Sequence, residues 1–400
     1  MRILLLSTTI PYPANNGVKM RSWSVLRTLV DQGHRVTLIA FAEGKEQPDP
    51  AIERVCDAVV LIPHRMRSVS SSRDHMGRLW RLFSSVPYGT ESLRSPEMAD
   101  KIASLLRDGA FDVVLSEQTD LLINFPDRSK IPLVIDFHNV DYLILERYIR
   151  FERNPAKQLY AWLESSKMRA WERHGCEMAA LALACSEHDR AILQTMNPQL
   201  PTFVVPNVVD TDSYPTNGEE DPLKILFQGG MDWYPNRDAV QFFALQILPL
   251  IRREIPNVRL VVAGRNPPED FKQRLSGVEG IIFTGTVPDM RTEVASAAVC
   301  IVPLRIGSGT RLKILEASAM AKPIVSTRVG AEGLEFVNGP EILIEDDPAA
   351  FAGAIAKLLK SPQMRTAMGR AARARAEQQY SLPAMNRAML AAWTKIRRQA

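Results

Sequence analysis

Residues 207–222 read NVVDTDSYPTNGEEDP, and residues 224–228 read KILFQ. The first stretch is polar, acidic and interrupted by Pro215 and Pro222, and the second is a short apolar run of the kind that makes a buried strand. Upstream of this break, short apolar runs alternate with longer amphipathic stretches; downstream, the same series starts afresh. Such alternation marks parallel strands joined by crossover helices, so 207–222 reads as a linker between two open sheets. Strands are expected at 3–7, 35–41, 58–62, 113–116, 133–136, 181–185 and 203–205, then at 224–228, 259–263, 281–284, 299–303, 323–326 and 342–344. Helices are expected between them, among them 19–32, 237–253, 311–320 and 348–360. The fold class is therefore α/β, with two doubly wound, Rossmann-like parallel-sheet domains facing a cleft. The first spans 1–206 and the second 223–380, and a last helix within 381–400 is placed to pack back on the first domain.

The wider composition agrees with that frame. Four hundred residues allow two or three domains. Hydrophobic residues make up 46% and charged residues 24%, which excludes disordered and fibrous chains. The formal charge of +4 is too small for a dedicated nucleic-acid binder. Cys56, Cys176, Cys185 and Cys300 are widely spaced, with no CxxC pair. Neither a disulfide framework nor a structural zinc site is expected, and a reducing, cytoplasmic location fits. No apolar run reaches the length of a membrane span, and the apolar core of 2–7 is too short for a signal peptide.

The densest chemical signal is residues 303–317, PLRIGSGTRLKILEA. A strand ends at Pro303, Gly307 and Gly309 make a loop, and a helix opens after Thr310. Free backbone N–H groups and the positive dipole end of such a helix attract anions, and Arg311 and Lys313 add charge. Glu316 follows one and a half turns in, where a carboxylate can bond the two adjacent hydroxyls of a ribose. A plain strand–loop–helix turn with solvated cations is the other reading of the same residues.

This stretch, together with 319–327 (AMAKPIVST) and 330–334 (GAEGL), resembles the donor-binding signature of GT-B glycosyltransferases, and is most similar to the large retaining group often called family 4. The form GSGTRLKILEA resembles a branch of capsule and exopolysaccharide sugar transferases, some of them associated with PEP-CTERM/exosortase loci. The resemblance implies a nucleotide-sugar donor, UDP- or GDP-linked, held by Ser308, Gly309, Thr310, Arg311, Leu312, Lys313 and Glu316. Where the family places a first Glu on the donor sugar, this chain has Ser308, so the backbone of 307–309 is expected to serve there. Residues 227–239 (FQGGMDWYPNRDA) resemble the family's first strand–turn–helix of the donor domain. At about the places where many members carry an Arg and a Lys for the diphosphate, this chain has Gly230 and Asn236. Arg265, after a strand end, is expected beside the base or phosphate, and the backbone near Val287 beside the base.

In the first domain, Gly17 lets the backbone approach a ligand closely, and the resemblance puts it near the donor phosphate. Lys19 and Arg21 are candidates for an acceptor phosphate, and Glu117, at another strand end facing the cleft, is a third candidate for the acceptor. His138, in DFHNVD (136–141), is the best catalytic candidate of this domain, with Asp136 and Asp141 as partners; the resemblance places it near the donor sugar and acceptor hydroxyl, alongside Glu316. No metal motif of the DxD kind and no cofactor is expected, so the developing diphosphate charge falls to the helix end. The acceptor implied is a glycan or a lipid-linked saccharide in cell-surface polysaccharide biosynthesis, to which the donor sugar is transferred with retention of its anomeric configuration. Residues 64–83 (HRMRSVSSSRDHMGRLWRLF) combine five arginines with Trp80 and Phe83, which suits contact with the inner face of the plasma membrane. Two other readings stay open: a GT-B-fold sugar-nucleotide epimerase, and a nucleotide-sugar-binding protein with impaired catalysis.

Overall fold

The computed structural model describes residues 1–44, 46–64, 84–108, 111–126 and 129–397. The basic stretch 65–83 lies outside the described residues. The chain forms two units: residues 1–206 together with the segment starting at Met385, and residues 207–384.

The first unit is built on seven parallel strands: β1 (Arg2–Ser7), β2 (Arg35–Ala42), β3 (Ala58–Pro63), β4 (Val113–Glu117), β5 (Leu133–Phe137), β6 (Leu181–Ala184) and β7 (Thr202–Val204). Their order is β3-β2-β1-β4-β5-β6-β7. Ile3, Leu4, Leu5 and Leu6 are wholly buried, as a central parallel strand with helices on both faces demands. Each such side chain contributes about 1.5–3 kcal/mol by leaving water. The helix Leu382–Arg397 completes this unit: Trp393 is buried against His34, ring centroids 6.1 Å apart, and Gln32 Nε2 donates to Asn386 O at 2.9 Å.

The second unit carries β8 (Asp221–Gln228), β9 (Arg259–Ala263), β10 (Ile281–Gly285), β11 (Ala297–Val302), β12 (Ile324–Ser326) and β13 (Leu343–Ile344), all parallel. Their order, β10-β9-β8-β11-β12-β13, reverses direction between β8 and β11. Phe227, Phe243, Phe271 and Phe351 anchor its core.

Every expected strand is present, with ends displaced by three residues or fewer. Three differences stand out. The stretch expected as a linker is packed into the second unit: Val208 and Val209 are buried, and Val209 N–H donates to Tyr380 O at 2.9 Å. Strand β8 begins at Asp221, with Pro222 inside it, and its pairing with β11 shifts register there. A residue without an N–H is tolerated at the first positions of a strand beside such an irregularity. The expected helix 237–253 is interrupted by a π-helical turn, Phe243–Ile247. Pro249 has no N–H for Leu245 and its ring would crowd that carbonyl, and one wider turn removes the conflict.

Candidate active site

In doubly wound sheets, ligands bind beyond the carboxyl ends of the strands where the order reverses. In the second unit that point lies between β8 and β11. Strand β8 runs out into Gly229-Gly230 and β9 into Gly264. Gly264 has φ +156°, and a Cβ there would stand 2.0 Å from Gly229 O, so the two turns touch backbone to backbone. On the other side, β11 runs into the loop 303–310 and then the helix Leu312–Ala319. Arg311 sits at the N-cap with no side-chain cap, which leaves the first-turn N–H groups directed at this strand-end region.

The side chains there are interlocked. Arg311 turns back on its own loop, donating to Ser308 O, to Gly309 O at 2.7 Å and to Val329 O at 3.5 Å. A Cβ on Gly307, at φ +153°, would stand 2.4 Å from that guanidinium. Arg311 thus shapes the loop rather than reaching outward. Lys313 Nζ donates to Asn236 Oδ1 at 2.9 Å and lies 4.2 Å from the Phe227 ring centroid, a cation–π distance. Burial brings its pKa down to about 7, the charge of Arg311 pushes the same way, and Glu316 resists. Asn236 Nδ2 in turn donates to Gly230 O at 2.8 Å.

Glu316 accepts from Tyr214 OH at 3.0 Å and from Gln228 Nε2 at 2.6 Å. Burial raises its pKa, against the pull of Tyr214, Lys313 and Gln228. The other end of the Gln228 amide, Oε1, is buried without a partner. Thr310 Oγ1 accepts from Asn207 Nδ2 at 2.7 Å, and Ser308 and Thr310 are both buried. Arg265, at the end of β9, is exposed and 3.3 Å from Asp232. Val287 follows the edge strand β10, two strands away from β8. The structure therefore brings Gly230, Asn236, Ser308, Gly309, Thr310, Arg311, Leu312, Lys313 and Glu316 together, with Arg265 at the rim and Val287 outside the interlocked group.

In the first unit the reversal falls between β1 and β4. Gly17 opens the helix Gly17–Asp31, with Asn16 capping it by accepting from Lys19 N–H at 3.0 Å. Lys19 itself is half-buried. Two candidates for the acceptor are buried and internally paired. Arg21 is 2% exposed, with Nε 2.9 Å from Asp136 Oδ2, Nη2 also on that carboxylate and Nη1 on Val205 O at 3.0 Å. Its position on the sheet-facing side of the helix meets a carboxylate at the end of β5, so it closes an internal ion pair. Glu117 is 1% exposed and accepts from Ser7 Oγ at 2.6 Å, and burial raises its pKa. Both side chains are engaged inside the unit.

His138 stands between these groups. Nε2 lies 3.3 Å from Asp136 Oδ2, and its backbone N–H donates to Gln118 Oε1 at 3.1 Å. Burial works against the charge on Asp136, but Arg21 and His138 outweigh it and hold the carboxyl at about 2. Asp136 is thus a fixed anion that orients the imidazole. Asp141, just beyond, is raised by burial and by Asp120.

Two family models match the chain in turn: Glycosyltransferase Family 4 over residues 15–213, and Glycosyl transferases group 1 over residues 222–361. The chain belongs to the GT-B glycosyltransferases. An uncharacterized 44.6 kDa protein from the cps region of Klebsiella pneumoniae is 23% identical to this glycosyltransferase over 366 residues, 88% of this chain and 89% of that one. Among solved structures, sucrose-phosphate synthase from Thermosynechococcus elongatus matches with a TM-score of 0.75 at 16% identity, over 100% of both chains. HepE of Anabaena, in complex with UDP and glucose, matches at 0.66 and 14% identity, over 98% of this chain and 99% of that one. At such identities the likeness is one of fold.

Two residues of the glycosyltransferase's strand-end network were not singled out from the sequence: Tyr214, within the expected linker, and Gln228, at the end of β8. The available signal for Gln228 was an amide closing an apolar run at the reversal point. Tyr214 carried none, because its partner lies 102 positions away. Among the described residues of the glycosyltransferase, no helix is long and apolar enough to cross a membrane.

Proposed function

We propose that this glycosyltransferase moves a sugar from a uridine- or guanosine-diphosphate donor to a glycan or lipid-linked saccharide in cell-surface polysaccharide biosynthesis. It does so with retention of configuration, without a metal, and at the cytoplasmic face of the membrane. The observation that carries the donor reading is the triad of Asn236, Lys313 and Glu316 around the open helix start beyond β8 and β11. A diphosphate fits the first-turn N–H groups and Lys313, which gains its full charge when the anion arrives. A ribose diol fits Glu316, whose two oxygens are oriented by Tyr214 and Gln228. Departure of the nucleotide builds negative charge on the diphosphate, where the same donors are preorganised to receive it.

With the leaving phosphate able to take the acceptor proton on the same face, no protein nucleophile is required. His138, oriented by Asp136, is the first unit's group for positioning the reacting hydroxyl. The relative from a cps region supports the polysaccharide assignment, and HepE, which binds UDP and glucose, supports a uridine donor as the first to try.

The test is a thermal-shift and isothermal-titration screen of UDP-, GDP- and dTDP-sugars against the wild type, Glu316→Ala and Lys313→Ala. One nucleotide class should stabilise the wild type and lose affinity in both variants. Unchanged nucleotide affinity in both would remove the site assignment. Binding without transfer to any acceptor or to water would leave a binding protein in place of a transferase.

A further inference from the structure

Among the described residues of the first unit, three of the five large apolar side chains left exposed lie on one helical hairpin, Val18 and Leu390 being the other two. The helices Asp141–Phe151 and Pro155–Met178 pack together and are joined by only three residues. Near that tip, Leu159 is 59% and Trp162 57% exposed, three positions apart and so on one helix face. Phe151, 38% exposed, ends the preceding helix. Leucine and tryptophan exposed side by side on a helix already packed along its other face offer an apolar surface to a partner.

The charges around them indicate which one. Arg150, Arg153 and Lys157 are exposed beside the tip, and Arg173 is exposed further along the same helix. The two nearby carboxylates are engaged locally. Glu152 accepts from Tyr148 OH and from the N–H groups of Arg153 and Asn154, at 2.8 and 2.9 Å, which lowers its pKa. Glu164 is buried and paired with Lys167 at 2.9 Å. The outer surface of the tip therefore sets aromatic and aliphatic side chains among three exposed cations, Arg150, Arg153 and Lys157, and one locally bonded carboxylate, Glu152. A second copy of this chain would set those cations against their own kind, since a two-fold interface pairs each patch with its own image. An anionic bilayer supplies both complements: lipid phosphates for the arginines, and a headgroup–acyl boundary where tryptophan and leucine are favoured.

We propose that the tip of this hairpin docks the enzyme on an anionic membrane surface, with Leu159 and Trp162 inserted among the headgroups and Arg150, Arg153 and Lys157 on lipid phosphate. This surface is independent of the donor reading. It also differs from the stretch 64–83 to which the sequence assigned membrane contact.

Co-sedimentation of the full chain with vesicles tests it, using phosphatidylcholine alone and an equimolar mixture with phosphatidylglycerol. The wild type should bind the mixed vesicles, less so at high salt, and leave the neutral ones in solution. Leu159→Ser combined with Trp162→Ser should lower partitioning by roughly tenfold or more. Arg150→Gln and Arg153→Gln should each lower it by roughly fivefold. Unfolding temperature and nucleotide-sugar affinity should stay at wild-type values in all three, which separates lost docking from lost folding. The proposal is overturned if the wild type binds neither vesicle. It is also overturned if the double variant binds as well as the wild type while neutralising the arginines of 65–81 abolishes binding. A third overturning result is that the double variant changes only self-association in sedimentation velocity.

Discussion

Lys313 carries its ammonium past Phe227 to Asn236, and there it releases its proton near pH 7 instead of near 10.5. Donor binding and protonation are consequently linked. The diphosphate of a nucleotide sugar keeps one charge state around neutrality, so the titrating partner is the lysine. Affinity should be level below about pH 7 and fall by up to about tenfold per unit as pH rises above it, towards the value of a chain without the cation. Lys313→Met should flatten the profile, and Lys313→Arg should hold it high through the alkaline range. Titration calorimetry at several pH values checks this, and a level profile in the wild type would remove Lys313 from the site. Tyr214→Phe and Gln228→Leu leave the folds of their segments intact and remove one hydrogen bond each to Glu316. Each should weaken donor binding by about 1–2 kcal/mol, with unfolding temperatures little changed. At this scale the sequence was legible where charge and helix spacing coincide, as at Lys313 and Glu316. It did not show that Arg21 and Glu117 are buried, because whether a charged side chain at a strand or helix end turns inward depends on a partner. For Arg21 that partner, Asp136, lies 115 positions away.

At the scale of elements, the turns after β8 and β9 are in contact, and side chains are excluded from between them. Gly264→Ala puts a methyl 2.0 Å from Gly229 O. It should lower stability by about 2 kcal/mol or more and weaken donor binding beyond that, as seen in parallel denaturation and titration experiments. In the first unit, Glu172 accepts from Asp141 N–H at 2.6 Å with its other oxygen buried and unpartnered. Burial, then the neighbouring Asp141, raises its pKa well above 4.5. A carboxyl raised on folding lowers stability progressively as pH climbs from the unfolded value through the folded one. Glu172→Gln should therefore match the wild type in acid and unfold at a higher temperature from neutral pH upward. Equal melting temperatures at every pH would refute the assignment. The elements themselves were readable, because buried parallel strands are short apolar runs between amphipathic helices. What the pattern did not show was local: that Pro222 fits the start of β8 beside a register shift, and that Pro249 forces a π turn in the preceding helix.

Over the whole molecule, the two sheets were legible from the restart of the strand–helix series at residue 224. That 207–222 packs into the second unit was not, because apolarity in Val208 and Val209 is too short a signal to separate a packed strap from a linker. The last helix belongs with the first unit through Trp393, which is 1% exposed against His34. Trp393→Ala should cost that unit about 3–5 kcal/mol. Calorimetry should show one transition moved down and the other in place, with nucleotide-sugar affinity retained. A shift of both transitions together would mean that the units unfold as one body.

That returning helix also sets an order of maturation. Residues 207–384 leave the ribosome as one uninterrupted block holding every strand and helix of their own core. The first 206 residues leave earlier, yet the surface around His34 stays without Trp393 until the far end of the chain has been made. Domains usually mature in the order of their synthesis. Here the domain translated first waits on residues 385–397 from beyond the second one, and damage in that later stretch is felt in the earlier domain.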